Sequence, residues 1–517
     1  MPDNVNIGVN ILEILTTGMY RDSRVIFREY IQNSCDQIDA AVKIGLLEPD
    51  DGQVELWINY QKRYVSIEDN ATGISAASFR QTLYSIGEST KTRGEDKGFR
   101  GIGHWCGVGY CKTLVFTSKA KDENVESVMS CDAERMRQMM DEHNSHEAYY
   151  TVDDVLTETV TFSTNKMNEL SKHYFKVEMF GIRDVHTELC SLQQVKDYLS
   201  FVAPVGYAPE FRFRNTIHKH AAIVRQSIQE YNIQVEGERI SKKYTPSFTT
   251  SKGEDTITGV DFKDFKDDNG NLIAWLWFGI SRFQGVLKKE NLMRGIRLRT
   301  QNIQIGDDNT LQKLFNEDRG QHYFVGEVFA IATDLIPNSH RDYFNENDAR
   351  LQFERKLSEF FNDDLSKIYK AGSTINSKYD KIVKAEHIES ELNTAVASGE
   401  SITEEQLERL EKAKKEANSA AQELTKIKEK TEAKLTGDDF STVEIVVSDI
   451  IKNNEEKIAK PPLPIEKPII PPKTSANRVV TKPEKMVPIS KIREIVRKLA
   501  DSSTADAIIA KIEEEIN

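Results

Sequence analysis

The run Arg28-Glu29-Tyr30-Ile31-Gln32-Asn33-Ser34-Cys35-Asp36 carries the residue types best suited to chemistry in this chain. Glu29, Asn33 and Asp36 fall at i, i+4 and i+7, one stripe of an α-helix. Phe27, Ile31, Ile38 and Val42 supply an apolar face on the other side. Two carboxylates and an amide so aligned can hold a water and a magnesium ion, which prefers oxygen ligands and keeps several waters. Alone, the stripe reads sooner as the solvated face of an ordinary amphipathic helix. A second segment, Val65-Ser66-Ile67-Glu68-Asp69-Asn70-Ala71-Thr72-Gly73-Ile74, follows an alternating apolar pattern at Leu56, Ile58, Val65 and Ile67. It reads as a half-buried strand breaking into a turn, with Asp69 at the strand end. An ionised carboxylate only accepts hydrogen bonds, which suits an exocyclic amine such as that of adenine. A third segment, Gly98-Phe99-Arg100-Gly101-Ile102-Gly103 with Gly107 and Gly109, has the glycine density that lets backbone N–H groups approach an anion.

In this order and spacing the three segments resemble the GHKL (Bergerat-fold) ATPase superfamily. Glu29-x-x-x-Asn33-x-x-Asp36 matches its first box, Asp69-Asn-Ala-Thr-Gly73 its second and Gly98-x-x-Gly101-x-Gly103 its third. The likeness is closest to the ninety-kilodalton heat-shock chaperones, whose lead-in is similar to the stretch from Leu15 to Glu29 and whose approach to the nucleotide lid is similar to Ser85 to Lys91. MORC- and MutL-type ATPases are the alternative branch. Far downstream, Asp334-Leu-Ile-Pro-Asn338-Ser-His-Arg341-Asp342 is similar to the chaperone segment that delivers an arginine to the ATP γ-phosphate. An always-charged planar donor from a second domain can stabilise charge on a transferring phosphoryl group.

The resemblance implies ATP and Mg2+ as ligands and assigns roles residue by residue. Glu29 would be the general base and Arg341 would complete the catalytic site. Asn33 would be the magnesium ligand. Asp69 would read adenine, Gly73 would shape the base pocket, and Asp36 would support it. Gly98, Gly101 and Gly103 would form the lid, with Lys91 helping to close it. Three departures stand out. Ala71 occupies the position of a usual family glycine and would cost about 1 kcal/mol if positive φ were needed there. No equivalent of a supporting threonine is found around Tyr174-Phe175-Lys176-Val177-Glu178-Met179, and Gly107 and Gly109 weaken the helix expected after the lid. These favour binding over fast turnover.

The elements that must position this chemistry follow from length and pattern. A chain of 517 residues holds about three domains. The expected class is α+β: a Bergerat α/β sandwich over 1–190, an α/β transducer over 191–350, a helical, partly coiled-coil region over 351–454, a Pro-rich linker over 455–486 and a small helical module over 487–517. In the transducer, Leu272–Phe278, Arg297–Ile305 and Tyr323–Ala332 read as strands, and Asp268-Asn269-Gly270-Asn271 as a hairpin turn. Thr403-Glu-Glu-Gln406 reads as a capping box, with Ile402 and Leu407 as a hydrophobic staple. Leu407, Leu410, Ala417, Ala421, Leu424 and Leu435 approximate heptad spacing, interrupted by Lys414 and Lys428, which describes a weak coiled coil or a helical hairpin.

Mean hydropathy is −0.52, and no apolar run approaches the ~20 residues of a membrane span. With no signal-peptide pattern at the start, a cytoplasmic location is expected. Five scattered cysteines lack CxxC spacing, which indicates reduced thiols rather than zinc. The net charge of −13 argues against unconditional nucleic-acid coating. Two local basic surfaces remain candidates: Lys91, Arg93, Lys97 and Arg100, and Lys288, Lys289, Arg294, Arg297 and Arg299. The resulting expectation is a slow, dimeric ATP-gated clamp acting on a protein partner. The alternatives are a nucleic-acid clamp, including one serving prokaryotic antiviral defence, and a regulatory ATP-binding module. Histidine-kinase and topoisomerase readings lack a phospho-acceptor helix and a cleavage domain, respectively.

Overall fold

The computed structural model describes residues 9–14, 16, 22–85, 103–436 and 442–459. Lys91, Gly98 and Gly101, the first basic surface, most of the Pro-rich linker and the terminal helical module lie outside the described residues. No helix among those described is long and apolar enough to cross a membrane.

After a short helix α1 (Asn10–Glu13), α2 (Val25–Lys43) is the helix that carries the polar stripe. Its Phe27, Tyr30, Ile31, Cys35, Ile38 and Ala41 are all buried in one core. It ends because Gly45 takes positive φ, +71°. Leu46 N–H then donates to Ala41 O at 2.8 Å and Gly45 N–H to Val42 O at 3.0 Å, a Schellman closure. The core is completed by a mixed sheet of β1 (Gln53–Asn59), β2 (Tyr64–Asp69), β3 (Thr113–Lys119), β4 (Val125–Asp132), β5 (Val160–Lys166), β6 (Tyr174–Phe180), β7 (Asn232–Val235) and β8 (Glu238–Arg239). The order is β5-β4-β3-β6-β2-β1-β7-β8. The last two strands come from residues beyond the 190/191 boundary read from the sequence. Helices α3 (Ala76–Tyr84), α4 (Ala133–Asn144), α5 (Val152–Thr159), α6 (Leu192–Val202) and α7 (Arg214–Ile223) complete this half. A 3-10 turn over Gly103–Gly109 stands where a regular helix was expected after the lid.

Next come a ribbon, β9 (Ser247–Thr250) and β10 (Gly253–Thr256), and a second sheet. That sheet contains β11 (Gly259–Lys266), β12 (Leu272–Ile280), β13 (Gly295–Thr300), β14 (Ile303–Ile305) and β15 (Val325–Ala330), in the order β11-β12-β15-β13-β14. Central β12 is buried on both faces: Ala274, Leu276 and Phe278 enter one core, Trp275 and Trp277 the other. The β11–β12 turn matches the Asp-Asn-Gly-Asn signal, with Gly270 at φ +86°. The single strand expected over Arg297–Ile305 is instead a hairpin. Gln301 and Asn302 both adopt positive φ, +49° and +62°, and reverse the chain without glycine. The hairpin turns Arg297 and Arg299 inward. Arg297 donates to Gln304 Oε1 and Arg299 pairs with Glu327, so neither contributes to the basic surface expected from the sequence.

Helices α8 (Asp348–Phe360), α9 (Ser366–Ala397), α10 (Glu404–Leu435) and α11 (Thr442–Ala459) close the described chain. Ion pairs Lys378–Glu423 and Lys414–Glu389 run in opposite sequence directions, so α9 and α10 form an antiparallel hairpin. The Thr403–Gln406 capping box forms. Of the expected staple pair, Leu407 is 48% exposed, and Ile402 packs on a small cluster with Leu410 and Ala417. Leu410, Ala417 and Leu424 of the expected heptad lie on the packed stripe of α10 with Ala413, Ala420 and Thr431, whereas Leu407 and Ala421 are exposed; Lys414 and Lys428 flank the stripe in ion pairs.

The two sheets are joined through a buried polar knot. Glu327 of β15 accepts from Lys242 (3.0 Å), Tyr244 (3.1 Å), Trp277 (3.2 Å), Tyr207 and Arg299. Arg299 also donates to Phe201 O at the end of α6 (2.7 Å), and Asn302 donates to Gln229 O (2.6 Å). Burial alone would raise the Glu327 carboxyl, but Arg299 and Lys242 hold it down at about 2. Removing the anion would strand two buried cations. Glu327→Ala is therefore expected to lower unfolding free energy by about 3–5 kcal/mol, read from the urea midpoint at unchanged slope.

Candidate nucleotide site

Helix α2 aligns Glu29, Gln32, Asn33 and Asp36 along one face. Glu29, Gln32 and Asp36 are buried and Asn33 is half-buried. Tyr30 pins the following turn to the helix: its hydroxyl donates to His104 O and accepts from Gly107 N–H, both at 3.0 Å. A Cβ at Gly107 would lie 2.5 Å from that hydroxyl. The same docking brings Gly103 against the catalytic candidate. A Cβ there would sit 2.9 Å from Glu29 Oε2, so glycine is what allows the approach.

Asp69 ends β2, opposite Phe175 of β6 and Val54 of β1. Its carboxylate accepts from Ala71 N–H at 3.1 Å and from the Ser34 hydroxyl of α2. Burial outweighs these bonds and a third from the Phe175 backbone, and pushes the carboxyl up to about 7. Ala71 lies outside positive φ, so the strain conditional on that backbone shape does not arise. Gly73 is the residue at φ +62°, and a Cβ there would collide with Lys119 O. Ser118 of β3 holds the turn by accepting from Ile74 N–H at 2.7 Å. Where no supporting threonine was found, His173 precedes β6 and its Nδ1 meets Ala71 O at 2.6 Å; a carbonyl only accepts, so Nδ1 carries the proton.

The downstream segment reaches this helix. Arg341 Nε lies 3.0 Å from Glu29 Oε1, and its Nη1 donates to Gln32 Oε1. Arg28 donates to the carbonyls of Arg341 (3.4 Å) and His340 (3.3 Å), with its Nε 3.7 Å from Glu29 Oε1. Arg341 itself has φ +52°, a left-handed conformation that clusters at functional positions. Its loop is held by Gly306 N–H on Arg341 O (2.9 Å) and by Asn338 on Asp342 (2.6 Å).

Glu29, Gly103 and Arg341 are thus brought together, with Asn33, Asp36, Asp69 and Gly73 on the adjoining helix and strand end. Arg28, Gln32, Ser34 and Ser118 join the site without having been singled out. Only the i+3 spacing of Gln32 from Glu29 could have pointed to one of them.

Three buried polar atoms here make no hydrogen bond among the described residues: Arg28 Nε, Glu29 Oε1 and Gln32 Nε2. The Arg341–Glu29 contact is close but misaligned for a hydrogen bond. Unmet donors beside an oxygen-bearing stripe fit a phosphate group and its water. Among the described residues no cluster of His, Cys, Asp or Glu can cage a metal.

Residues 21–166 match the family model described as histidine kinase-, DNA gyrase B-, and HSP90-like ATPase. The match supports a GHKL-type ATPase domain with ATP binding over this part of the chain, and the mixed α+β architecture agrees with it. No match is found among curated proteins.

Asp69 gives this site a measurable signature. Between about pH 4 and 7 the folded protein retains the Asp69 proton that the unfolded chain releases. Stability therefore falls as pH rises through that window, and the cost is complete above it. Asp69→Asn is expected to raise the melting temperature of nucleotide-free protein, more at about pH 8 than at about pH 5, while weakening ATP binding. Thermal melts at both pH values and calorimetry check this.

Proposed function

We propose that this protein is a slow, Mg2+-dependent ATPase that works as a conformational clamp on a protein partner, in the manner of the heat-shock chaperone branch. The observation that carries the reading is the Arg341–Glu29 contact, which joins a loop of the second sheet region to the helix bearing the candidate base. Asp69 accepts from the adenine amine, and Gly73 keeps the base pocket open. Asn33 offers its amide oxygen to Mg2+, which offsets phosphate charge, and Asp36 supports the pocket. On the family resemblance Gly98, Gly101 and Gly103 would form the lid, with Lys91 helping to close it; of these, Gly103 alone lies among the described residues.

Glu29 orients the attacking water and takes its proton. Arg341 sits against the Glu29 carboxylate that must meet the attacking water, so it must leave Glu29 before that step and engage the γ-phosphate instead. Turnover is then limited by loop and domain motion rather than by bond breaking, which makes a slow ATPase the natural outcome. Closure brings two copies together as a dimer.

The nucleic-acid clamp is the second reading. It loses support because Arg297 and Arg299 are interior, leaving Lys288, Lys289 and half-buried Arg294 of that basic set. Salt-sensitive, ATP-dependent DNA binding would establish it over the protein-partner reading.

ATP turnover and size-exclusion mass, with and without a non-hydrolysable analogue, test the proposal. Glu29→Ala and Arg341→Ala should each lower kcat by about 100-fold or more while ATP still binds. The analogue should yield a compact dimer of the wild type. Unchanged turnover in both variants would refute the assigned roles.

A further inference from the structure

Gln32 has no part in the roles assigned above, yet it is 1% exposed and its amide meets Arg341 of the site. It follows Glu29 by three residues, so the two side chains share a helix face. Arginine has only donors, so the atom of Gln32 that meets Arg341 Nη1 must be the carbonyl Oε1. That contact fixes the amide's orientation and leaves Nε2 as the other end. Nε2 is buried and has no acceptor among the described residues. A buried amide donor without an acceptor is costly, and the native chain retains it beside two further unmet atoms, Arg28 Nε and Glu29 Oε1.

We propose that Gln32 is a specificity-determining residue by which this site distinguishes ATP from ADP: its Oε1 holds the Arg341 guanidinium and its Nε2 donates to a γ-phosphate oxygen. The acceptor must be anionic oxygen close to both Arg341 and Glu29, and a nucleoside triphosphate brings one there that a diphosphate lacks. A charge-assisted bond to a buried donor is about twice as strong as a neutral one. The amide therefore adds to triphosphate affinity and to the correct seating of Arg341 together. Occupying one residue with both tasks also makes the arginine's position depend on the ligand. The inference rests on the ATP reading above and deepens it.

Gln32→Glu is nearly isosteric, keeps an acceptor for Arg341, removes both N–H donors and turns a carboxylate toward the phosphate. Calorimetric titration of wild type and variant with a non-hydrolysable ATP analogue and with ADP, both with Mg2+, reads the effect. The expected result is an analogue Kd raised by about tenfold or more and an ADP Kd changed by less than about twofold. Gln32→Met, which removes donor and acceptor together, should show the same selective loss and carries the test if Gln32→Glu fails to fold by thermal melt. Equal weakening of both nucleotides, or no change in either, overturns the role of Gln32 while leaving ATP binding intact. Wild-type protein that binds neither nucleotide overturns the ATP reading itself.

Discussion

The contact between Arg341 and Glu29 is the constraint around which the rest of the molecule is arranged. Both side chains are largely withdrawn from water, at 13% and 6% exposure. A charge pair in such a setting must be held in register by its surroundings, because desolvation penalises any loss of geometry. Helix α2 supplies one half of the register by burying an apolar face on the eight-stranded sheet. The loop after β15 supplies the other, through the left-handed backbone at Arg341 and the Gly306 and Asn338 bonds that fix it. Arg28 then ties the loop's carbonyls back to the helix. A displacement of either half is felt by the other, which is the physical requirement for a site that spans two regions.

The parts of this arrangement visible in the sequence are those whose side chains act through local spacing. Glu29, Asn33 and Asp36 announce themselves by helical periodicity, and Asp69 by its position at the end of an alternating strand. Arg341 was found because its neighbours carry a recognisable pattern, not because an arginine before an aspartate is informative. Arg28 carries no such signal and Gln32 only its i+3 spacing from Glu29, because the partners of both lie on a loop more than half the chain away. Alternation misled at Arg297–Ile305. Basic and apolar residues alternate there as they would in a strand with one wet face, but the charged side chains meet Glu327 and Gln304 in the interior. The Gln301–Asn302 reversal was missed because neither residue is the glycine that usually marks positive φ.

Ala71 and Gly73 show how a motif departure is decided by backbone geometry. Alanine in place of a family glycine looked like a cost. The left-handed conformation sits two residues later, at Gly73, where Lys119 O also leaves no room for a side chain. Ala71 is fully buried and contributes its N–H to Asp69 and its carbonyl to His173. The turn therefore needs one glycine, and it has that one.

Two buried carboxylates with cationic neighbours separate structure from function on physical grounds. Glu327 receives five donors, and no buried side-chain atom of Glu327 or of those five donor residues lacks a partner among the described residues, although Arg297 Nε on the neighbouring strand does. Such a knot is complete; any ligand entering it would have to break bonds already made. Around Glu29 the same kinds of residue leave three buried atoms unmet. Asp69, at the end of the adjoining strand β2, is kept at a raised pKa by burial that its hydrogen bonds do not offset. Folding alone gains nothing from such deficits, since apolar residues of similar shape would remove them. Their concentration on one face of α2 and the adjoining strand end is what marks that face, and not the better-bonded knot beneath it, as the place where a ligand completes the bonding.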